Sequence, residues 1–134
     1  MSLVVWYLGL SHSLEGGGSV IRTVLLVLRS EDFCQALQDV LKYRYRVISA
    51  KSAEEGAVML QRQPDALLLD LFLPGTDGLS FLKENQTKLP PAILLFTTFH
   101  NSYILQAASD LGVTTVLLKP CPLASVQNWL DTQP

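Results

Sequence analysis

Three polar side chains with complementary chemistry each stand at the end of an apolar run, and they are Asp70, Thr97 and Lys119. A carboxylate can attack a phosphoryl group, a hydroxyl can hydrogen-bond the transferred oxygens, and an ammonium group can balance their charge. Each residue alone is a weak signal, because Asp and Thr at strand ends often cap backbone groups and a Lys is usually solvated. Together they favour phosphoryl chemistry, in which positioning and electrostatics dominate catalysis.

The run that precedes Asp70 predicts how this acid is placed. Residues 66–69 are Ala-Leu-Leu-Leu, without polar alternation, and such a run is typical of a central parallel strand that is covered on both faces. Pro74 and Gly75 then favour a sharp turn. Because ligands bind at the carboxyl ends of parallel strands in α/β sheets, we expect Asp70 to lie at that edge.

Strand and helix patterns alternate through the rest of the chain. Ser30 is a natural N-cap, Ser52 begins a capping box, and Gly112 predicts a helix stop. The strand patterns cover residues 24–28, 45–49, 66–70, 92–96 and 113–118, and the helix patterns cover residues 31–43, 52–63, 78–85, 102–111 and 122–130. Repeated βα units with right-handed crossovers predict an α/β, flavodoxin-like (βα)5 fold: a doubly wound, parallel five-stranded sheet in a three-layer sandwich.

Composition excludes several other classes of protein. The chain has 134 residues and a net charge of −2, which predicts one core and argues against direct binding of nucleic acid through a basic face. Cys34 and Cys121 lack metal-ligand spacing, so we expect free thiols and a cytoplasmic location. No apolar run approaches the roughly 20 residues that cross a bilayer, so no membrane role is expected.

The first 19 residues differ from the rest of the chain. Residues 15–19 are Glu-Gly-Gly-Gly-Ser, a flexible linker composition, and the apolar stretch before them lacks a signal-peptide pattern. We therefore predict that residues 1–19 are a tag, a translated leader or a flexible N-terminal segment, that residues 20–132 form the domain, and that 133–134 begin a linker. An extra strand or a partner-binding arm at residues 4–7 is the alternative.

Residues 20–130 resemble the receiver domains of two-component response regulators. The resemblance is carried by Asp-Ala-Leu-Leu-Leu-Asp-Leu-Phe-Leu-Pro-Gly-Thr-Asp-Gly at 65–78, Leu-Phe-Thr-Thr at 95–98 and Leu-Lys-Pro at 118–120. It implies that Asp70 is the phospho-acceptor, Thr97 the switch hydroxyl and Lys119 the phosphate-pairing lysine. It also implies a cis peptide before Pro120.

The chain departs from this family where a magnesium ion would bind. The family ends its first strand with two adjacent acids, but that alignment places Leu28 and Arg29 here, and a shift by one residue gives Arg29 and Ser30. Mg²⁺ needs oxygen ligands that normally include carboxylates. Asp70 and the main-chain carbonyl of Phe72 remain as the ligands that the resemblance implies. Glu31 or Asp32 could add a carboxylate only by reaching back from the start of the first helix. We therefore expect Mg²⁺ to bind weakly or not at all.

Arg29 and Val116 are expected to modify the site. Asp70, Arg29 and Lys119 sum to a charge of +1 without a metal, so Arg29 could replace the metal's charge or form an ion pair that restrains Asp70. The alternative is a solvated loop arginine. Val116 stands where the family usually carries a mobile aromatic ring, which puts the usual coupling to Thr97 in doubt.

These features predict the signal-receiving domain of a response regulator in a phosphorelay, not an enzyme, with Asp70 as candidate acceptor and impaired Mg²⁺-dependent chemistry. Its partner would be a histidine kinase or phosphotransfer protein, and DNA would be bound only by an output domain outside this chain. The alternative is a phosphorylation-independent module that interacts or dimerises through its fourth helix, fifth strand and fifth helix. A nucleotide-binding enzyme is disfavoured, because glycines 16–18 precede the first strand instead of following it.

Overall fold

A parallel five-stranded sheet forms the middle layer of the fold in the computed structural model, which describes residues 20–99 and 101–133. Its strands are β1 (Thr23–Val27), β2 (Arg46–Ala50), β3 (Ala66–Asp70), β4 (Ala92–Thr97) and β5 (Thr115–Leu118). They lie in the order β2-β1-β3-β4-β5, and all pairings are parallel. This order confirms the predicted flavodoxin-like doubly wound sheet.

The two faces of the sheet carry separate apolar clusters. Leu26, Leu68 and Leu94 belong to the cluster on one face, whereas Leu25 and Leu67 belong to the cluster on the other. Successive side chains of a strand point to opposite faces, so a strand covered on both faces has no polar alternation. This is why β1, β3 and β4 read as continuous apolar runs.

Helices cover the sheet, and capping side chains begin four of them. The helices are α1 (Glu31–Leu41), α2 (Ala53–Met59), α3 (Gly78–Glu84), α4 (Ser102–Asp110) and α5 (Leu123–Asp131). The Oγ atoms of Ser30 and Ser52 accept hydrogen bonds from main-chain N–H groups at 3.2 and 3.1 Å, which confirms both predicted N-caps. Asp77 and Asn101 cap α3 and α4 in the same way without having been predicted. The described residues contain no helix that is long and apolar enough to span a membrane.

Several element boundaries differ from the predicted ones. The first helix ends at Leu41 instead of residue 43. The second ends at Met59 and continues as a 3-10 turn, Leu60–Arg62. The predicted turn at Pro74 and Gly75 is part of a hairpin that joins Phe72–Leu73 to Thr76–Asp77, with Gly75 at a φ of +76°. Residues 1–19, with the segment interpreted as a tag, leader or arm, lie outside the described residues.

An ion-paired cluster, here called the C-terminal latch, ties the end of α5 to the connection between α1 and β2. Nη1 of Arg44 lies 2.6 Å from Oδ2 of Asp131, and the hydroxyl of Tyr45 donates a hydrogen bond to Oδ1 of the same carboxylate. Burial raises the pKa of Tyr45 well above its usual value, and the hydrogen bond to Asp131 raises it further. The phenol therefore stays a donor at physiological pH.

Candidate functional site

The three predicted side chains meet at the carboxyl edge of the sheet. Asp70 and Thr97 are the last residues of β3 and β4, and Lys119 follows β5 directly. Because β4 lies between β3 and β5, the three face one open cleft of about 320 Å³. The cleft is lined by Arg29, Ser30, Asp70, Leu71, Phe72, Phe96, Thr97, Thr98 and Lys119.

Asp70 and Lys119 form a short ion pair. Nζ of Lys119 lies 2.6 Å from Oδ1 of Asp70, whose side chain is 5% exposed. The ammonium group also lies 4.9 Å from the ring centroid of Phe33 and 5.8 Å from that of Phe96, and cations are attracted to ring faces at such distances. The Lys119–Pro120 peptide is cis, as the resemblance implied.

The second carboxylate oxygen of Asp70 is held by the main chain of the loop between β1 and α1. The N–H of Arg29 donates to Oδ2 of Asp70 at 2.7 Å. The predicted ion pair between Arg29 and Asp70 is wrong: among the described residues, Asp70 pairs only with Lys119, and Arg29 is exposed. The loop turns its amide, not its guanidinium group, toward the carboxylate, and Lys119 already occupies the other oxygen.

The cleft offers few oxygen ligands for a magnesium ion. Leu28 is 4% exposed and supplies no side-chain oxygen, and Glu31 pairs instead with Lys51 at 3.4 Å. Phe72 lines the cleft, but among the described residues Asp70 is the only carboxylate that does. Within residues 20–99 and 101–133, no cluster of three His, Cys, Asp or Glu side chains could hold a metal ion. Mg²⁺ is normally held by one or two carboxylates together with other oxygens.

We expect a calorimetric titration of the protein with MgCl₂ to show no saturable binding in the low millimolar range. The Arg29→Asp variant should gain measurable affinity, because it adds a carboxylate beside Asp70. The Arg46→Asp variant, which has the same charge change at the opposite edge of the sheet, is the control. Saturable binding by the native protein that disappears in Asp70→Asn would contradict the expectation.

Thr97 is bonded to the loop that follows β4 and not to Asp70. Its Oγ1 accepts a hydrogen bond from the N–H of Phe99 at 2.9 Å and donates one to the carbonyl oxygen of the same residue at 3.3 Å. The half-exposed ring of Phe99 packs edge-to-face on that of Phe72, with 5.5 Å between centroids. The contact between Phe72 and Phe99 was not predicted from the sequence, because no sequence pattern links these two loop residues.

Val116 is buried in the core. Val116 is 7% exposed and belongs to the apolar cluster that also contains Ala108 of α4. Tyr103 is 80% exposed. Because the side chain at position 116 has no ring, it cannot change its orientation together with Thr97 as the family's mobile aromatic would.

The fold and the cleft define a class of protein. The family model of the response regulator receiver domain matches residues 24–131, and the chain therefore belongs to this family. Receiver domains of response regulators are generally signalling domains and not enzymes.

Named relatives agree with that assignment. The chain is 33% identical over 104 residues to the hydrogenase transcriptional regulatory protein HoxA of Cupriavidus necator, covering 73% of this chain and 21% of HoxA. It is 30% identical over 90 residues to the transcriptional regulatory protein YdfI of Bacillus subtilis, covering 66% of this chain and 42% of YdfI. The chain thus spans less than half the length of both. The structure of chemotaxis protein CheY4 from Vibrio cholerae is similar with a TM-score of 0.73 and 25% identity, covering 81% of this chain and 94% of CheY4.

Proposed function

We propose that this receiver domain accepts a phosphoryl group on Asp70 from a histidine kinase or phosphotransfer protein in a cytoplasmic phosphorelay. The observation that carries the proposal is the Asp70 carboxylate itself, which lies in an open cleft with one oxygen 2.6 Å from Nζ of Lys119. A carboxylate beside a fixed cation is suited to attack phosphorus and to have the incoming charge balanced.

Asp70, Lys119 and Thr97 would each have a different role in the phosphoryl transfer. An oxygen of Asp70 attacks phosphorus, the bond from phosphorus to the donor breaks, and the donor leaves with the electron pair. Lys119 shifts toward a phosphoryl oxygen, for which its ammonium group is a suitable partner. Thr97 would exchange its bond to the Phe99 carbonyl for one to the phosphoryl group, since one hydroxyl has a single proton to donate.

The same geometry supports a slow reaction. The acidic pair that would orient phosphoryl oxygens through a divalent ion is replaced by Leu28 and Arg29. The bonds from Lys119 and from the Arg29 amide to Asp70 also stabilise the unmodified carboxylate. Both effects raise the barrier to attack, so we propose that Mg²⁺-dependent transfer is impaired.

We expect acetyl phosphate to add one phosphoryl group slowly to the native protein, at a rate that depends little on Mg²⁺. Intact mass spectrometry over time, with MgCl₂ or with EDTA, measures both quantities. Asp70→Asn should abolish the adduct, whereas Asp32→Asn, an exposed acid on α1, should leave it unchanged. An adduct that persists in Asp70→Asn, or a rate increased about a hundredfold by Mg²⁺, would contradict the proposal.

A phosphorylation-independent interaction or dimerisation module is the second candidate. It is favoured by the two strong contacts that occupy both oxygens of Asp70 and by the exposed Tyr103 and Leu118 on the face formed by α4, β5 and α5. The absence of any adduct, together with dimers that Tyr103→Ala weakens, would favour it. In either case the names of HoxA and YdfI support the proposal that DNA is bound by a separate output domain.

A further inference from the structure

We propose that the guanidinium group of Arg29 is the counter-charge for the phosphoryl group on Asp70, so that the cleft binds phosphoryl oxygens without a metal. The inference deepens the phospho-acceptor function proposed above and rests on it. It differs from the predicted ion pair, because the partner of Arg29 is the incoming oxyanion and not the carboxylate of Asp70.

The main chain places Arg29 where its side chain can reach the incoming group. The hydrogen bond of 2.7 Å from its amide to Oδ2 of Asp70 holds the Arg29 backbone beside the acceptor carboxylate. Arg29 also lines the cleft and is exposed. The backbone contact is independent of the side chain, so a substitution at this position leaves the amide donor in place.

The guanidinium group of Arg29 forms no ion pair with a described residue. Among the residues that the structure describes, no carboxylate oxygen lies within 4.0 Å of it, since the ion pairs involve other cations. Glu31, which begins α1 just after this loop, is paired with Lys51 at 3.4 Å. Lys119 is the other cation of the cleft, and Asp70 already neutralises it. Arg29 is therefore the cleft cation that remains available.

The net charge of the cleft differs between the unmodified and the phosphorylated state of Asp70. Asp70 and Lys119 sum to zero before modification, and Arg29 leaves a charge of +1. Phosphorylated Asp70 would itself carry a charge of about −1.5 to −2 at pH 7, by analogy with other protein phosphates. The positive charges of Lys119 and Arg29 together would balance it. The planar guanidinium group can also hold two phosphoryl oxygens at once.

Inorganic phosphate is the probe that tests this site without requiring covalent transfer. We expect amide NMR in EDTA to show phosphate-dependent shifts at Asp70, Thr97 and Lys119, and the apparent Kd to rise with salt. Arg29→Gln should raise the Kd about threefold to tenfold, which corresponds to the net contribution of one typical hydrogen bond at an exposed site. Arg29→Lys should retain part of the affinity. Arg46→Gln, which removes the same charge at the start of β2, should have no effect.

Acetyl phosphate treatment of the same variants in EDTA separates this inference from the phospho-acceptor function. If Arg29→Gln binds phosphate and accumulates adduct as the native protein does, the inference is overturned while Asp70 remains an acceptor. If phosphate binding depends on Arg29 but no adduct forms on the native protein, the anion site stands and the phospho-acceptor function fails. Shifts that are absent from the cleft amides would also overturn the inference.

Discussion

Trp129→Ala is expected to lower the free energy of unfolding by about 3–5 kcal/mol. Trp129 of α5 is 1% exposed, and its Nε1 donates a hydrogen bond of 3.0 Å to Oγ1 of Thr115 in β5. The variant would leave a large cavity and would also deprive the buried Thr115 hydroxyl of its partner, which costs a further ~1–3 kcal/mol. Since domains of this size are stable by about 5–15 kcal/mol, the variant should lose a large part of the free energy of unfolding.

Urea denaturation followed by circular dichroism measures this loss and can divide it into its parts. Trp129→Phe keeps most of the ring volume and removes the donor, and Thr115→Val removes the acceptor. If the hydrogen bond matters, adding Thr115→Val to Trp129→Phe should restore part of the stability. Asn128→Ala, at the exposed neighbouring position, is the control and should change stability by less than about 0.5 kcal/mol. A Trp129→Phe variant as stable as the native protein would contradict the expectation.

Gly78→Ala is expected to damage both stability and the cleft. A Cβ atom at Gly78 would lie 2.5 Å from the main-chain oxygen of Asp70 and 3.2 Å from Cδ1 of Leu95. Because the first of these contacts is with backbone, either the start of α3 or the end of β3 must move. We expect this overpacking to lower the free energy of unfolding by about 1–3 kcal/mol. We also expect phosphorylation to become slower by about tenfold or more, since a displacement of roughly 1 Å at a reacting group can reduce a rate by that much.

Gly56→Ala is the matched control for this prediction. Gly56 is also a buried helical glycine, but its Cβ would meet side-chain atoms of Phe81 and Val27 at 3.1 Å. Those side chains can yield by a few tenths of an ångström, and alanine is favoured over glycine inside a helix by about 1 kcal/mol. We therefore expect Gly56→Ala to stay within about 1 kcal/mol of the native stability. Equal losses in the two variants would show that the backbone contact at Gly78 is not the cause.

The fold and the meeting of Asp70, Thr97 and Lys119 could be predicted because both depend on local pattern. Apolar runs without alternation mark strands that are buried on both faces, and the carboxyl ends of parallel strands must share one edge. Ser30 and Ser52 could be identified as caps because a cap contacts a residue only three positions away.

The interactions of Arg29 and the C-terminal latch could not be predicted, because they depend on where loops bring atoms that are distant in sequence. The charge of Arg29 suggested an ion pair, but only the path of the loop decides whether its amide or its guanidinium group faces Asp70. Asp131 lies 87 residues from its partner Arg44. No periodicity links such positions, and the same holds for the Phe72 and Phe99 rings.

The C-terminal latch determines where additions to this domain would lie. Asp131 is held beside Arg44 and Tyr45, immediately before the first residue of β2, and β1 begins at the same edge of the sheet, where Asp65 accepts the N–H of Thr23. Both described ends of the chain therefore lie across the sheet from Asp70, about 17 Å away for a strand of this length. A fluorophore, surface tether or fused protein that is joined at residue 20 or residue 133 would therefore be attached at the edge of the sheet opposite the cleft.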